Sequence, residues 1–170
     1  QGPALIPDLD IRDNLRLTQI PVEPFRHWMA ELGIPDLDLD DVVRDLPLPT
    51  LRIIDLARAL ALEPDVVILD ETTAALPADL TERVLDAVGR QRLSGRSVIF
   101  ISHRLIEISS LCDRATVLRD GETVGVVDIA PGAQERIVAL MLGPQEAAVR
   151  TAEEALTATT GAPSIASTAD

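Results

Sequence analysis

The chain has 170 residues, enough for one domain of ordinary size, and 46% of them are hydrophobic while only 2% are aromatic, so any core must be built from Leu, Ile, Val and Ala. A formal net charge of -13 argues against the clustered positive face that nucleic-acid phosphates require, and against direct adhesion to an anionic membrane surface. All 15 basic residues are arginine, the single Cys112 cannot form an intrachain disulfide, which fits a reducing cytosol, and no apolar run approaches the roughly 20 residues that span a bilayer.

Residues 1–9 are punctuated by proline and read as a loop. Asp10 to Leu17 is predicted as a short helix with Asp10 as its cap. Pro21 and Pro24 bracket the next helix start. Phe25, Trp28, Met29 and Leu32 then recur at helical spacing up to Gly33. Residues 36–45 set Asp36, Asp38, Asp40, Asp41 and Asp45 among Leu and Val, and a small acidic helical stretch is expected there. Leu51, Ile54, Leu56, Ala57, Leu60 and Ala61 mark an amphipathic helix that stops before Pro64.

Asp65 to Asp70 holds four consecutive aliphatic residues ended by an acid, which predicts a strand buried on both faces, as in a parallel sheet. Leu80, Val84, Leu85 and Val88 line the next helix, ended by Ser94-Gly95, and Ser97 to Ser102 reads as a second buried strand. A short helix is expected over Leu105 to Leu111. Arg114 to Arg119 and Glu122 to Asp128 flank Asp120-Gly121, a strong two-residue hairpin signal. Ile137, Leu140 and Met141 form one face of a last helix ending near Gly143-Pro144. Residues 151–170 are rich in Ala, Thr and Ser without an apolar face and read as a linker or disordered tail. Strands alternating with helices predict an α/β domain over 1–150 with a largely parallel sheet.

Two strand ends carry the candidate chemistry. Asp70-Glu71 follows the first apolar strand, and ligands of open α/β sheets bind at the C-terminal strand ends. In nucleotide hydrolases a first acid there holds Mg²⁺, usually through water, and a second orients or activates the attacking water. On this feature alone the alternative stands beside it, that Asp70 caps a turn and Glu71 is merely solvated, because an acid after an apolar strand is common. Ser102-His103 ends the next apolar strand at the same sheet edge, which favours a site over a lone structural histidine.

Taken together the motifs resemble the ATP-binding cassettes of ABC transporters. DVVILDETTAAL, from Asp65 to Leu76, is similar to the family's Walker B strand and the loop after it, and IDLARAL at 54–60 to the helix after its signature motif. VIFISHRLIEISSLCDRATVLRDGE at 98–122 is similar to its switch-histidine region, and QGPALIPDLDIRDNL at the start to its Q-loop and following helix. The wording is most similar to the first of two fused cassettes in bacterial sugar importers of the ribose/galactose type, and it extends over roughly 1–143.

The resemblance implies a partial P-loop NTPase fold with a helical subdomain at about 10–48 and without its phosphate-loop strand. It implies ATP and Mg²⁺ as cofactors, with Asp70 and Gln1 at the metal, Glu71 acting on the attacking water and His103 contacting the γ-phosphate. It further implies a second cassette, fused or separate, meeting Thr73 to Leu76. Membrane-spanning permease subunits would meet the helical subdomain at the cytoplasmic face of the cell membrane, and no nucleic acid is implied.

Three departures stand out. No GxxxxGK[ST] loop occurs and lysine is absent altogether, as expected of a chain cut just before Gln1. The family's signature, Leu-Ser-x-Gly-Gln, falls on Leu46, Pro47, Leu48, Pro49 and Thr50, where the prolines remove a hydroxyl and N–H donors that would meet a γ-phosphate at a helix start. Thr72 replaces the usual proline after the glutamate. An importer ATPase whose isolated fragment is inactive is the reading these features carry. A degenerate, non-hydrolytic cassette acting as a regulatory or interaction module is the alternative, which the two prolines favour.

Overall fold

The computed structural model describes residues 4–143; Gln1 and the tail expected over 151–170 lie outside the described residues. The chain forms two compact units that divide between Leu111 and Cys112.

The first unit contains α1 (Ile11–Leu17), α2 (Val22–Glu31), α3 (Leu48–Ala61), β1 (Val66–Asp70), α4 (Ala78–Leu93), β2 (Ser97–Ile101) and α5 (Leu105–Leu111). Asp10 caps α1 as its sequence predicts, its carboxylate accepting from Asp13 N at 2.7 Å, a contact of a kind that stabilises by about 1 kcal/mol. Buried Asn14 fastens the preceding loop: its Oδ1 accepts from Ile6 N at 2.8 Å and its Nδ2 donates to the Ile6 and Asp10 carbonyls. At the end of α2, Gly33 takes φ +94, so its N–H reaches the Ala30 carbonyl and the Ile34 N–H reaches that of Met29. This is the left-handed cap that satisfies otherwise orphaned helix carbonyls.

The acidic stretch 36–45 differs from its expectation. Only Val43–Asp45 forms a single 3₁₀ turn, and the rest is turn and extended chain that places Val42 against Asp10. The reason lies in the pattern: Leu37 and Leu39 alternate with aspartates and both are buried, whereas a helix would turn residues two apart toward different faces. Asp38 also turns the chain itself, accepting from Asp40 N. α3 packs against α2, burying Ile53, Ile54, Leu56, Ala57 and Leu60 beside a core that includes Phe25 and Met29.

β1 and β2 pair in parallel, Val66 opposite Ser97 through Asp70 opposite Ile101. The expectation that both strands are buried on both faces is corrected. Val67 and Leu69 are buried, while Val66, Ile68, Ile99 and Ile101 are 52%, 63%, 51% and 48% exposed. A continuous aliphatic run does not itself cover two faces; each face also needs a packed layer. α4 supplies such a layer by packing against β2. Among the described residues β2 pairs with β1 alone, so its second edge is open.

The second unit is a hairpin, β3 (Arg114–Arg119) and β4 (Glu122–Asp128), followed by a helix over 133–143. Asp120 and Gly121 both take positive φ, 53° and 82°, the turn whose twist matches paired strands. The ladder carries a bulge between Val117 and Leu118. Gly125 lies close under Leu140, so a Cβ there would stand 2.7 Å from Leu140 Cδ1 and the leucine side chain would have to shift. The hairpin is a separate antiparallel sheet; the parallel sheet is the one that carries the candidate site.

Candidate functional site

The parallel register decides the site. Asp70 ends β1 opposite Ile101, so the two residues that follow each strand emerge side by side at one sheet edge. The Glu71 N–H continues the ladder to the Ile101 carbonyl at 2.9 Å. Glu71 then leaves the strand with φ +47, a left-handed conformation uncommon for a residue with a side chain. The turn aims its carboxylate across the edge, and Glu71 Oε1 meets His103 Nδ1 at 3.1 Å. Both side chains are exposed. With an ionised Glu71, which only accepts, the bond requires the proton on Nδ1 and leaves Nε2 as the ring nitrogen not engaged by Glu71.

Asp70 is exposed on the sheet face it shares with Ile68. Among the described residues no group of three or more His, Cys, Asp or Glu could hold a metal ion by itself. That donor set still suits Mg²⁺ bound with a nucleotide, because Mg²⁺ keeps several waters and needs only one or two carboxylates besides substrate phosphates. Gln1, the other residue implied at the metal, lies outside the described residues. The nearest described part of that segment is tied down: Arg58 Nη1 on α3 donates to the Ala4 carbonyl at 2.7 Å.

Leu46, Pro47, Leu48, Pro49 and Thr50 form the entry to α3. Pro47 is the N-cap and makes no side-chain cap bond, and the helix begins at Leu48 with Pro49 in its first turn. Proline is well tolerated there, since its missing N–H is one of the donors a helix start cannot use internally. The first intrahelical bond runs from Leu51 N to the Pro47 carbonyl, so the Leu48 and Thr50 N–H groups precede the helical ladder and Pro49 has none.

One residue escaped the sequence reading. Glu107 on α5 is buried, and its Oε2 accepts from Thr73 Oγ1 at 2.8 Å and from Ser102 Oγ at 3.1 Å. Its Oε1 lies 2.6 Å from Arg104 Nη1. A signal was present: Glu107 stands four residues before buried Leu111, on the inward side of a helix where an apolar residue is the default.

No protein-family profile matches the chain. Curated relatives do. The ribose import ATP-binding protein of Rhizobium johnstonii is 33% identical over 154 residues, covering 84% of this chain and 30% of the relative. Those of Caldanaerobacter subterraneus and Rhodococcus jostii are 32% and 34% identical, covering 82% and 84% of this chain and 30% and 31% of the relatives. Among solved structures, an ATP-binding cassette of an ABC transporter superposes with a TM-score of 0.66 at 18% identity, over 82% of this chain and 65% of that one. This chain is an ABC-type ATP-binding cassette sequence, of the kind found in sugar-importer ATPases. A dimeric cassette solved in a post-hydrolysis state with ADP and phosphate shares the fold with a TM-score of 0.63 at 22% identity, over 75% of this chain and 60% of that one. The cassette sequence spans about 30% of the length of the curated relatives it matches. Among the described residues no helix is long and apolar enough to cross a membrane.

Proposed function

We propose that this cassette serves in the ATP-binding and ATP-hydrolysing subunit of an ABC importer for a sugar, coupling hydrolysis to transport at the cytoplasmic face of the cell membrane. The observation that carries the reading is the Glu71–His103 pair, brought together at the C-terminal ends of adjacent parallel strands directly after Asp70. The ribose-import relatives support the substrate class. In this reading Glu71 Oε1 takes the proton of, or orients, a water attacking the γ-phosphate, and His103 presents Nε2 to that phosphate. A positioned general base contributes roughly 10²–10⁴-fold to a rate. Asp70, with Gln1, would hold Mg²⁺, which supplies charge neutralisation at the phosphates.

The partners are a second cassette, fused or separate, that meets Thr73 to Leu76, and permease subunits that meet the helical subdomain at about 10–48. The sequence contains neither a GxxxxGK[ST] loop nor any lysine, so the 170-residue chain alone lacks the groups that bind most of the triphosphate and is inactive by itself. Pro47 and Pro49 favour a second reading, a non-hydrolytic regulatory cassette, because Pro49 removes one donor from the helix start that would face a partner's nucleotide. Steady-state Mg-ATP hydrolysis by the full-length protein with its permease separates the two. Turnover lost on Glu71→Gln supports the hydrolytic reading, and the absence of turnover in the unaltered protein supports the regulatory one.

A further inference from the structure

The side chains of Glu71 and His103 are exposed and bond to each other, so their placement depends on the two loops that carry them. Those loops converge on a single buried atom. Thr73, two residues after Glu71, and Ser102, directly before His103, both donate a hydroxyl proton to Glu107 Oε2. The same Ser102 oxygen accepts from the Arg104 N–H at 3.0 Å, which fixes the chain on the far side of His103. Arg104 stands beside the other carboxylate oxygen as an ion pair, its Nη1 2.6 Å from Oε1 but without hydrogen-bond geometry. A buried carboxylate is unfavourable without partners, and here each partner belongs to one of the two loops or to the turn between His103 and α5.

We propose that Glu107 is a positioning residue for the proposed ATP-hydrolysing site: it clips the loop after β1 to the loop after β2 and so sets the approach of Glu71 to His103. Packing alone does not require it, since Leu at this helix position would satisfy the inward face that Leu111 shares. The clip also opposes the relaxation of Glu71 out of its left-handed backbone conformation, because Thr73 is held two residues further on.

The inference rests on the hydrolytic reading, and its test has one arm that does not. In the full-length protein with its permease, Glu107→Leu should lower kcat for Mg-ATP by about 10- to 100-fold, the scale of a small misplacement of reacting groups, with KM changed less than about threefold. Glu107→Gln, which keeps an acceptor oxygen, should recover most of that loss. Thr73→Val should lower kcat by less and add nothing to Glu107→Leu, as residues of one network do. Hydrogen exchange followed by mass spectrometry supplies the independent arm: Glu107→Leu should speed exchange in peptides covering 71–76 and 102–105 together, while peptides covering 51–61 stay as they are. If Glu107→Leu does not fold, Thr73→Val and Ser102→Ala carry both arms. Unchanged exchange in either loop, or effects of Thr73→Val and Glu107→Leu that simply add, would overturn the clip. An unaltered protein without turnover would sink the hydrolytic reading while the exchange arm still decides the clip.

Discussion

His103 Nδ1 lies 3.1 Å from Glu71 Oε1, and this contact joins the ends of two strands that are separated by a helix in sequence. Two residues that act on one transferring group as a unit lose their function non-additively. In the full-length protein, Glu71→Gln is expected to lower Mg-ATP turnover by at least about 100-fold while ATP affinity stays within a few-fold, because a transition-state role is lost and ground-state contacts remain. His103→Ala added to it should cost little more. Single-turnover hydrolysis and equilibrium nucleotide binding measure the two halves. A fall in affinity with turnover intact would make Glu71 a structural residue.

The 170-residue chain by itself should bind ATP very weakly and not turn it over. Its sequence holds no phosphate loop, which in nucleotide hydrolases supplies most backbone N–H contacts to the phosphates. Calorimetric titration with Mg-ATP and a phosphate-release assay on purified 1–170 test this. Hydrolysis that disappears on Glu71→Gln would be decisive against it.

The start of α3 predicts asymmetry between two composite ATP sites. Pro49 lacks an N–H and Pro47 caps the helix without a side-chain bond. In the proposed dimer this entry would face the nucleotide held by the partner cassette, while Glu71 and His103 would depend on the partner's own signature. A missing transition-state donor typically costs about 3 kcal/mol, roughly a hundredfold in rate. Pro47→Ser with Pro49→Gly, made in the full-length protein, should therefore raise turnover at the partner-side site, measured with the other site silenced. An unchanged rate with both sites occupied would mean that residues 46–50 serve only as a helix start.

Helix ends make a prediction of opposite signs. Gly33 ends α2 at φ +94, and a Cβ there would lie 2.7 Å from Arg83 Cδ. Gln19 ends α1 in the same left-handed manner at φ +55, its N–H bonded to the Arg16 carbonyl, with Ile20 N bonded to that of Leu15. Gly33→Ala should destabilise the fold by about 1–2 kcal/mol, and Gln19→Gly should stabilise it by up to about 1 kcal/mol, since only glycine takes this conformation without a side-chain penalty. Urea unfolding of both variants, compared at equal m-value, checks the pair.

Much of this protein was legible in the residues themselves. The Asp10 cap, the Gly33 stop and the Asp120-Gly121 turn are local devices, in which a side chain or a missing one meets its own backbone a few positions away, and all three stand in the structure as the sequence predicts. The resemblance of the strand ends to the ABC cassettes was likewise carried by motifs in their order. Tertiary structure decided the rest. Leu37 and Leu39 reach the core from a non-helical turn segment, which a run of aspartates did not announce. The aliphatic runs of β1 and β2 read as buried twice over, yet one face is exposed, because burial depends on what packs against a strand as well as on what it contains. The meeting of Glu71 with His103, and of both their loops at Glu107, follows from parallel register and from the contact of α5 with the two loops. Those contacts span 32 and 34 residues of sequence, from Glu71 to His103 and from Thr73 to Glu107, a separation over which no local propensity acts.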